Sequence, residues 1–71
     1  MSSASFGKIL KELRNEKGLG QVELAQAIGV SNGVISLWEN GLRKPGMNSL
    51  LLLAKFFNVS VDYLTGNDLI K

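Results

Sequence analysis

The sequence has no cysteine and no histidine in its 71 residues. The first absence excludes disulfides and cysteine-based metal or redox sites. The second removes the commonest general base and the commonest metal ligand. Only scattered carboxylates remain, from which no nucleophile–base pair or metal site can be assembled. A non-enzyme without cofactor or metal is therefore expected. Long apolar runs are missing too. The longest, Leu50 to Ala54, is five residues, whereas a membrane span needs about twenty. The N-terminal MSSASFGK lacks the basic start and apolar stretch of a signal peptide. A cytoplasmic protein with no membrane partner is expected.

What is present is a compact apolar budget in a short chain. Hydrophobic residues make up 45% of the sequence, enough for a core although a chain of this length sits near the lower limit for one held without staples. One domain over residues 1–71 is expected, or one such domain of a longer protein. Eight Lys/Arg against six Asp/Glu give a net charge of +2. That balance suits a nucleic-acid partner without demanding one.

Periodicity divides the chain into five helices with no strand pattern beyond Val59-Ser60-Val61. In residues 5–17, Phe6, Ile9, Leu10 and Leu13 fall at i, i+3, i+4 and i+7, one apolar stripe. Ser3 or Ser5 caps its start and Gly18 its end. Gln21 to Ile28 forms a second helix, with Glu23 as half a capping box whose other half is glycine, Gly20. Gly29-Val30-Ser31 is a glycine-centred turn, and Ser31 caps a third helix from Asn32 to Glu39. Pro45 ends the loop after it. A fourth helix runs from Met47 to Phe57 with Leu50, Leu53, Ala54 and Phe57 inward. Ser60 caps a fifth, Val61 to Thr65, and residues 67–71 are expected to fray.

Residues 21–40 organise the rest. Leu24, Ala25, Ile28, Val30, Ile35 and Trp38 converge on one inner face only if helices two and three cross steeply at a tight turn. That is a helix-turn-helix, with its second helix offered outward to a DNA major groove. Trp38 is spaced as a core residue rather than a stacking platform.

The segments LKELRNEKGL, QVELAQAIGVS, Ile35-Ser-x-Trp-Glu-Asn-Gly41, Arg43-Lys44-Pro45 and LLLLAKFFNVSVDYLTG resemble, in order and spacing, the small lambda-repressor-like domains of the Cro/XRE type. The resemblance covers about residues 5–66. It implies an all-α five-helix fold and sequence-specific binding of double-stranded DNA, usually as a dimer on a near-palindromic operator. It also implies a transcriptional regulator, a repressor by expectation, encoded by a bacterium or phage and associated with the nucleoid when bound.

By the same resemblance, Ser31, Asn32, Gly33, Ser36 and Leu37 face base edges. Asn32 can pair with adenine N6 and N7, and Ser36 can donate or accept. Gly33 and Leu37 have no hydrogen-bonding side chain, so base readout by this helix is thin. Gln21 sits in the first turn of helix two, where free N–H groups favour an anion. Asn40, Arg43 and Lys44 lie where the family grips the phosphate backbone, and Lys8, Lys11 and Lys17 are further candidates. Arg14 and Glu39 occupy positions that pair in the family and lock helix one to helix three.

The C-terminal part carries more apolar surface than one small core can use. Leu52 and Phe56, with Val61 and Tyr63, are expected to form a two-fold homodimer interface through helix five and the adjoining part of helix four. Leu51, Leu64, Leu69 and Ile70 add to the same excess. The alternative function is a protein-interaction module, such as an antitoxin-type adaptor with a regulatory protein partner. The small Gly33 and apolar Leu37 on the outward face favour it.

Overall fold

A serine or a glycine in extended backbone opens each helix, and a left-handed residue follows each one. The computed structural model describes residues 5–67, which form α1 (Phe6–Glu16), α2 (Gln21–Ile28), α3 (Asn32–Glu39), α4 (Met47–Phe57) and α5 (Val61–Leu64). There is no strand among the described residues. Ser3, an alternative cap for α1, and the tail residues Leu69 and Ile70 lie outside them. The bounds differ from the periodicity only at the ends: Ser5 and Lys17 flank α1 as caps, and Thr65 caps α5. Asn67, placed in the fraying tail by its composition, donates its N–H to Asp62 O at 2.9 Å.

The five stops share one hydrogen bond. Leu19, Val30, Leu42, Val59 and Asn67 each donate an N–H to the carbonyl five residues back, on Arg14, Ala25, Leu37, Ala54 and Asp62. This is the bond that closes a helix over a left-handed residue. Glycine supplies that residue at four stops and Asn58, φ 56°, at the fifth. The first apolar residue beyond the stop folds back onto the core at Leu19, Val30 and Val59. Leu42 does not, and is 74% exposed.

One helix start departs from the sequence reading in detail, and another follows it. Ser31 holds the N-cap position of α3, but its hydroxyl makes no cap bond. The Val34 N–H that it would receive goes instead to the Ser31 carbonyl at 3.2 Å, a tighter i→i+3 turn that serves the same orphan donor. At α2 the half capping box forms: the Gly20 N–H donates to Glu23 Oε1 at 2.6 Å.

The core consists of Ile9, Leu10 and Leu13 from α1, Leu24, Ala25 and Ile28 from α2, Ile35 and Trp38 from α3, Leu53 and Phe57 from α4, and Leu64 from α5. The six apolar positions of the 21–40 segment are therefore all inward, with Val30 half-buried against the core. In α4, Leu50 is only half-buried where its spacing predicted full burial. The helix turns Leu53 and Phe57 squarely inward, which leaves Leu50 on the shoulder of the stripe. α2 and α3 pack on each other, α1 lies across α3, and α4 and α5 close the other side.

The contact of α1 with α3 depends on a residue that periodicity does not single out. Gly7 is buried in the first turn of α1, and a Cβ there would lie 2.5 Å from Trp38 O and 2.6 Å from Glu39 O. Glycine thus lets the start of α1 lie directly on the backbone of the last turn of α3. Phe6 beside it meets Trp38 edge-on, with ring centroids 6.2 Å apart.

Candidate nucleic-acid interface

The outward side of α3 follows from its inward side. Ile35 and Trp38 are fixed in the core, so the residues one turn apart on the opposite surface form two columns, Asn32 with Ser36 and Gly33 with Leu37. Ser31, Asn32 and Gly33 are exposed, and Ser36 and Leu37 half-exposed. The first column is polar and the second wholly apolar.

The end of α3 is held by two sets of polar contacts. Asn40 Nδ2 donates to Ser36 O at 2.9 Å and to Ser36 Oγ at 3.3 Å. These bonds cap the helix and tie a residue expected to touch phosphate to one expected to touch bases. The second set is less exposed. Glu39 Oε2 accepts from Arg14 Nε at 2.7 Å, and Oε1 accepts from Arg14 Nη2 and from Gln21 Nε2, each at 3.1 Å. Arg14 Nη1 donates to Leu19 O at 2.7 Å. The two charged side chains are only 11% and 4% exposed. One carboxylate thus joins α1, the start of α2 and the end of α3, and the fork geometry suits a guanidinium alone. The hydrogen bond to Glu39 raises the Arg14 pKa above the ordinary arginine value against the lowering effect of burial. The contribution of this shift is full below the unfolded-state pKa and is lost only as pH rises through the higher folded value. Arg14 therefore stays charged throughout the neutral range.

The N-cap of α2 is Gly20, which has no side chain to offer the N–H groups of the first turn, and Gln21 stands at the first helical position with its amide bonded to Glu39. Arg43 and Lys44 are exposed in the loop beyond α3, and Lys8, Lys11 and Lys17 are exposed on or beside α1. Lys17 leans the other way, its Nζ 5.6 Å from the centroid of the Phe56 ring.

The apolar excess of the C-terminal half is divided between the inside and the outside. Phe56 is half-buried and edge-on to Phe57 at 5.0 Å between centroids. Val61 and Tyr63 are half-buried, Tyr63 packing on the core. Leu52 is 46% exposed, Leu51 54% and Met47 63%. Asn48, Leu51, Leu52 and Lys55 line a shallow groove of about 450 Å³. Leu52 and Phe56, one turn apart on α4, thus differ in exposure: Leu52 is open, and Phe56 is partly covered by Phe57 and Lys17.

One residue of consequence escapes the sequence reading: Gly7 has no signal except that of a glycine inside a helical pattern. Among the described residues, no helix is long and apolar enough to cross a membrane.

Comparison with known proteins gives this geometry a context. Residues 10–64 match the Helix-turn-helix family. The HTH-type transcriptional regulator ImmR of Bacillus subtilis (strain 168) is 42% identical over 64 residues, 90% of this chain and 50% of that protein. The HTH-type transcriptional activator BcrR of Enterococcus faecalis is 44% identical over 66 residues, 92% of this chain and 32% of that protein. The chain thus spans half or less of the length of these relatives. Among solved structures, the P22 c2 repressor in complex with a synthetic operator superimposes with a TM-score of 0.86 at 33% identity, covering 93% of this chain and 100% of that one.

Proposed function

The chain belongs to the Helix-turn-helix family of Cro/C1 type, and from that premise we propose that it is a sequence-specific DNA-binding regulator of transcription. The observation that carries this reading is the locked pair of α2 and α3. Its inner face is committed to the core, its two ends are tied to α1 through Arg14 and Glu39, and its outer face of Asn32, Gly33, Ser36 and Leu37 stays open to solvent. The P22 c2 repressor, with the same fold, is solved on operator DNA.

In this reading α3 enters the major groove. Ser31, Asn32, Gly33, Ser36 and Leu37 face the bases, with Asn32 supplying the bidentate contact to adenine. The start of α2, where Gly20 offers no side chain to the first-turn N–H groups, grips phosphate with Gln21, and Arg43 and Lys44 do so on the other side of the groove. Asn40 joins that grip by releasing a bond to Ser36. A two-fold homodimer, using Leu52, Phe56, Val61 and Tyr63, sets two recognition helices about 34 Å apart, one turn of B-DNA. Repression follows from occupying a promoter, since binding alone is enough for it.

The test is selection of bound duplexes from a random pool, followed by titrations at several salt concentrations. With about four phosphates neutralised per monomer, log K is expected to fall with log salt at a slope of roughly −3 to −4 per bound monomer. Arg43→Ala with Lys44→Ala removes about two units of that slope and weakens all sequences alike. Absence of duplex binding at low salt overturns the reading.

A further inference from the structure

Asparagine is followed by glycine twice in the chain, at Asn32-Gly33 and at Asn40-Gly41. The other asparagines, Asn15, Asn48, Asn58 and Asn67, precede residues that carry side chains. The difference is chemical, because the backbone nitrogen after an asparagine can attack the side-chain amide. Glycine puts no Cβ in the way and leaves the backbone free to reach. The two pairs stand at the two ends of α3.

The fold treats them differently. Asn40 Nδ2 donates to Ser36 O at 2.9 Å and to Ser36 Oγ at 3.3 Å, and the Gly41 N–H donates to Trp38 O at 3.2 Å. Attack at that pair requires these bonds to open. Asn32 and Gly33 are exposed in the first turn of α3, where N–H groups have no intrahelical acceptor. The Ser31 hydroxyl makes no cap bond, and the Ser31 carbonyl is taken by the Val34 N–H. Neither the Gly33 N–H nor the Asn32 side-chain amide is hydrogen-bonded to the described residues. A Cβ at Gly33 would meet nothing within 4 Å, so the fold does not need glycine there, and glycine holds the turn less firmly than alanine.

We propose that Asn32-Gly33 is a modification site, at which Asn32 of the free folded protein converts spontaneously to aspartate and isoaspartate, ahead of Asn40, and that the conversion silences the recognition helix. The Gly33 amide nitrogen gives its proton to solvent and attacks Asn32 Cγ. The N–Cγ bond forms, the Cγ–Nδ2 bond breaks, and Nδ2 leaves as ammonia with a proton from water. The cyclic imide then takes up one water at either carbonyl. Opening at one restores the chain as aspartate, and opening at the other reroutes it through the side chain as isoaspartate. One water is consumed, one ammonia is released, and nothing is oxidised or reduced. The consequence for DNA rests on the reading that α3 lies in the major groove. A carboxylate accepts but does not donate, so it cannot make the bidentate pair with adenine, and it brings negative charge toward the phosphates. A bound duplex covers Asn32, so unbound copies age and bound copies are spared.

The full chain is incubated free, with saturating selected duplex, and in urea, and timed samples are digested and resolved by liquid chromatography and mass spectrometry into asparagine, aspartate and isoaspartate forms of each peptide. In urea the two pairs are expected to convert at similar rates. In the free folded chain Asn32 is expected to convert about ten-fold or more faster than Asn40, the worth of the hydrogen bonds that must open at the second pair. Gly33→Ala slows conversion at Asn32 several-fold and melts at the parental temperature or higher, so the slowing does not come from a change of fold. Duplex slows conversion at Asn32, and Asn32→Asp binds the selected duplex about ten-fold or more weakly than the parent. Conversion at Asn40 as fast as at Asn32 in the folded chain, an Asn32 that stays intact while both pairs convert in urea, or undiminished conversion in Gly33→Ala overturns the site. These arms need no duplex. Equal conversion of Asn32 with and without duplex, or undiminished binding by Asn32→Asp, overturns the link to DNA and the base contact of Asn32, while the chemistry of the pair stands.

Discussion

Gly7→Ala lowers the melting temperature by roughly 10–20 °C, corresponding to about 3 kcal/mol in a domain of this size. The added carbon would sit 2.5 Å from Trp38 O, 2.6 Å from Glu39 O and 3.0 Å from Glu39 C. All three are backbone atoms, so no side chain can rotate away. Either α1 lifts from α3 or the last turn of α3 shifts. Both movements disturb the Phe6–Trp38 edge contact and the Arg14–Glu39 pair, which span the same two helices. Alanine is the better helix former by up to about 1 kcal/mol, which offsets only part of the collision. Thermal denaturation followed by circular dichroism measures it. A melting temperature equal to or above that of the parent would show that the close approach of α1 to α3 is wrong.

The second large effect comes from the carboxylate that joins three helices. Arg14→Ala leaves Glu39, with a side chain 4% exposed, holding one neutral donor from Gln21 where it had held a guanidinium fork as well. Glu39→Ala leaves Arg14 with Leu19 O as its partner in the network. Each change is expected to cost about 3 kcal/mol, because a mostly buried charge is left uncompensated. The double substitution Arg14→Met with Glu39→Leu costs markedly less than the two single losses together, since neither charge is then stranded. Arg14→Lys does not restore stability, because an ammonium cannot supply the planar fork. Urea denaturation of the four variants decides the point. Full additivity, or losses below about 0.5 kcal/mol, would place the pair among incidental surface contacts.

These two effects also mark what a linear reading of the chain reaches. The stripe of α1 and the six inward positions of α2 and α3 are legible because burial imposes a 3.6-residue period on one chain segment at a time. The stops are legible because a left-handed residue leaves a glycine or asparagine behind. Arg14 and Glu39, twenty-five residues apart, are linked by no periodicity, and only their likeness to a family pattern pairs them. The Gln21 bond to Glu39 depends on where α2 begins relative to the end of α3, which is a property of the crossing and not of either helix. Gly7 is invisible for the same reason. A missing side chain has no hydrophobic or polar character, and what makes it necessary is the backbone of another helix. Phe56 shows a different limit. Counted along α4 it falls with Leu52, and what the count does not give is the partial cover supplied by the ring of Phe57 and the ammonium of Lys17. The open apolar face of α4 is that of Leu51 and Leu52.

That face is the natural competitor of α3 as a binding surface, and a nitrogen–proton correlation titration with the selected duplex separates them directly. If α3 occupies the major groove with the start of α2 and the Arg43–Lys44 loop on the backbone, the largest amide shifts fall at residues 20–22, 31–37 and 40–44. Residues 47–55 then move only to the extent that a second copy covers them. Shifts concentrated on residues 47–55, with residues 31–37 unmoved, would contradict the assignment of α3 as the recognition helix.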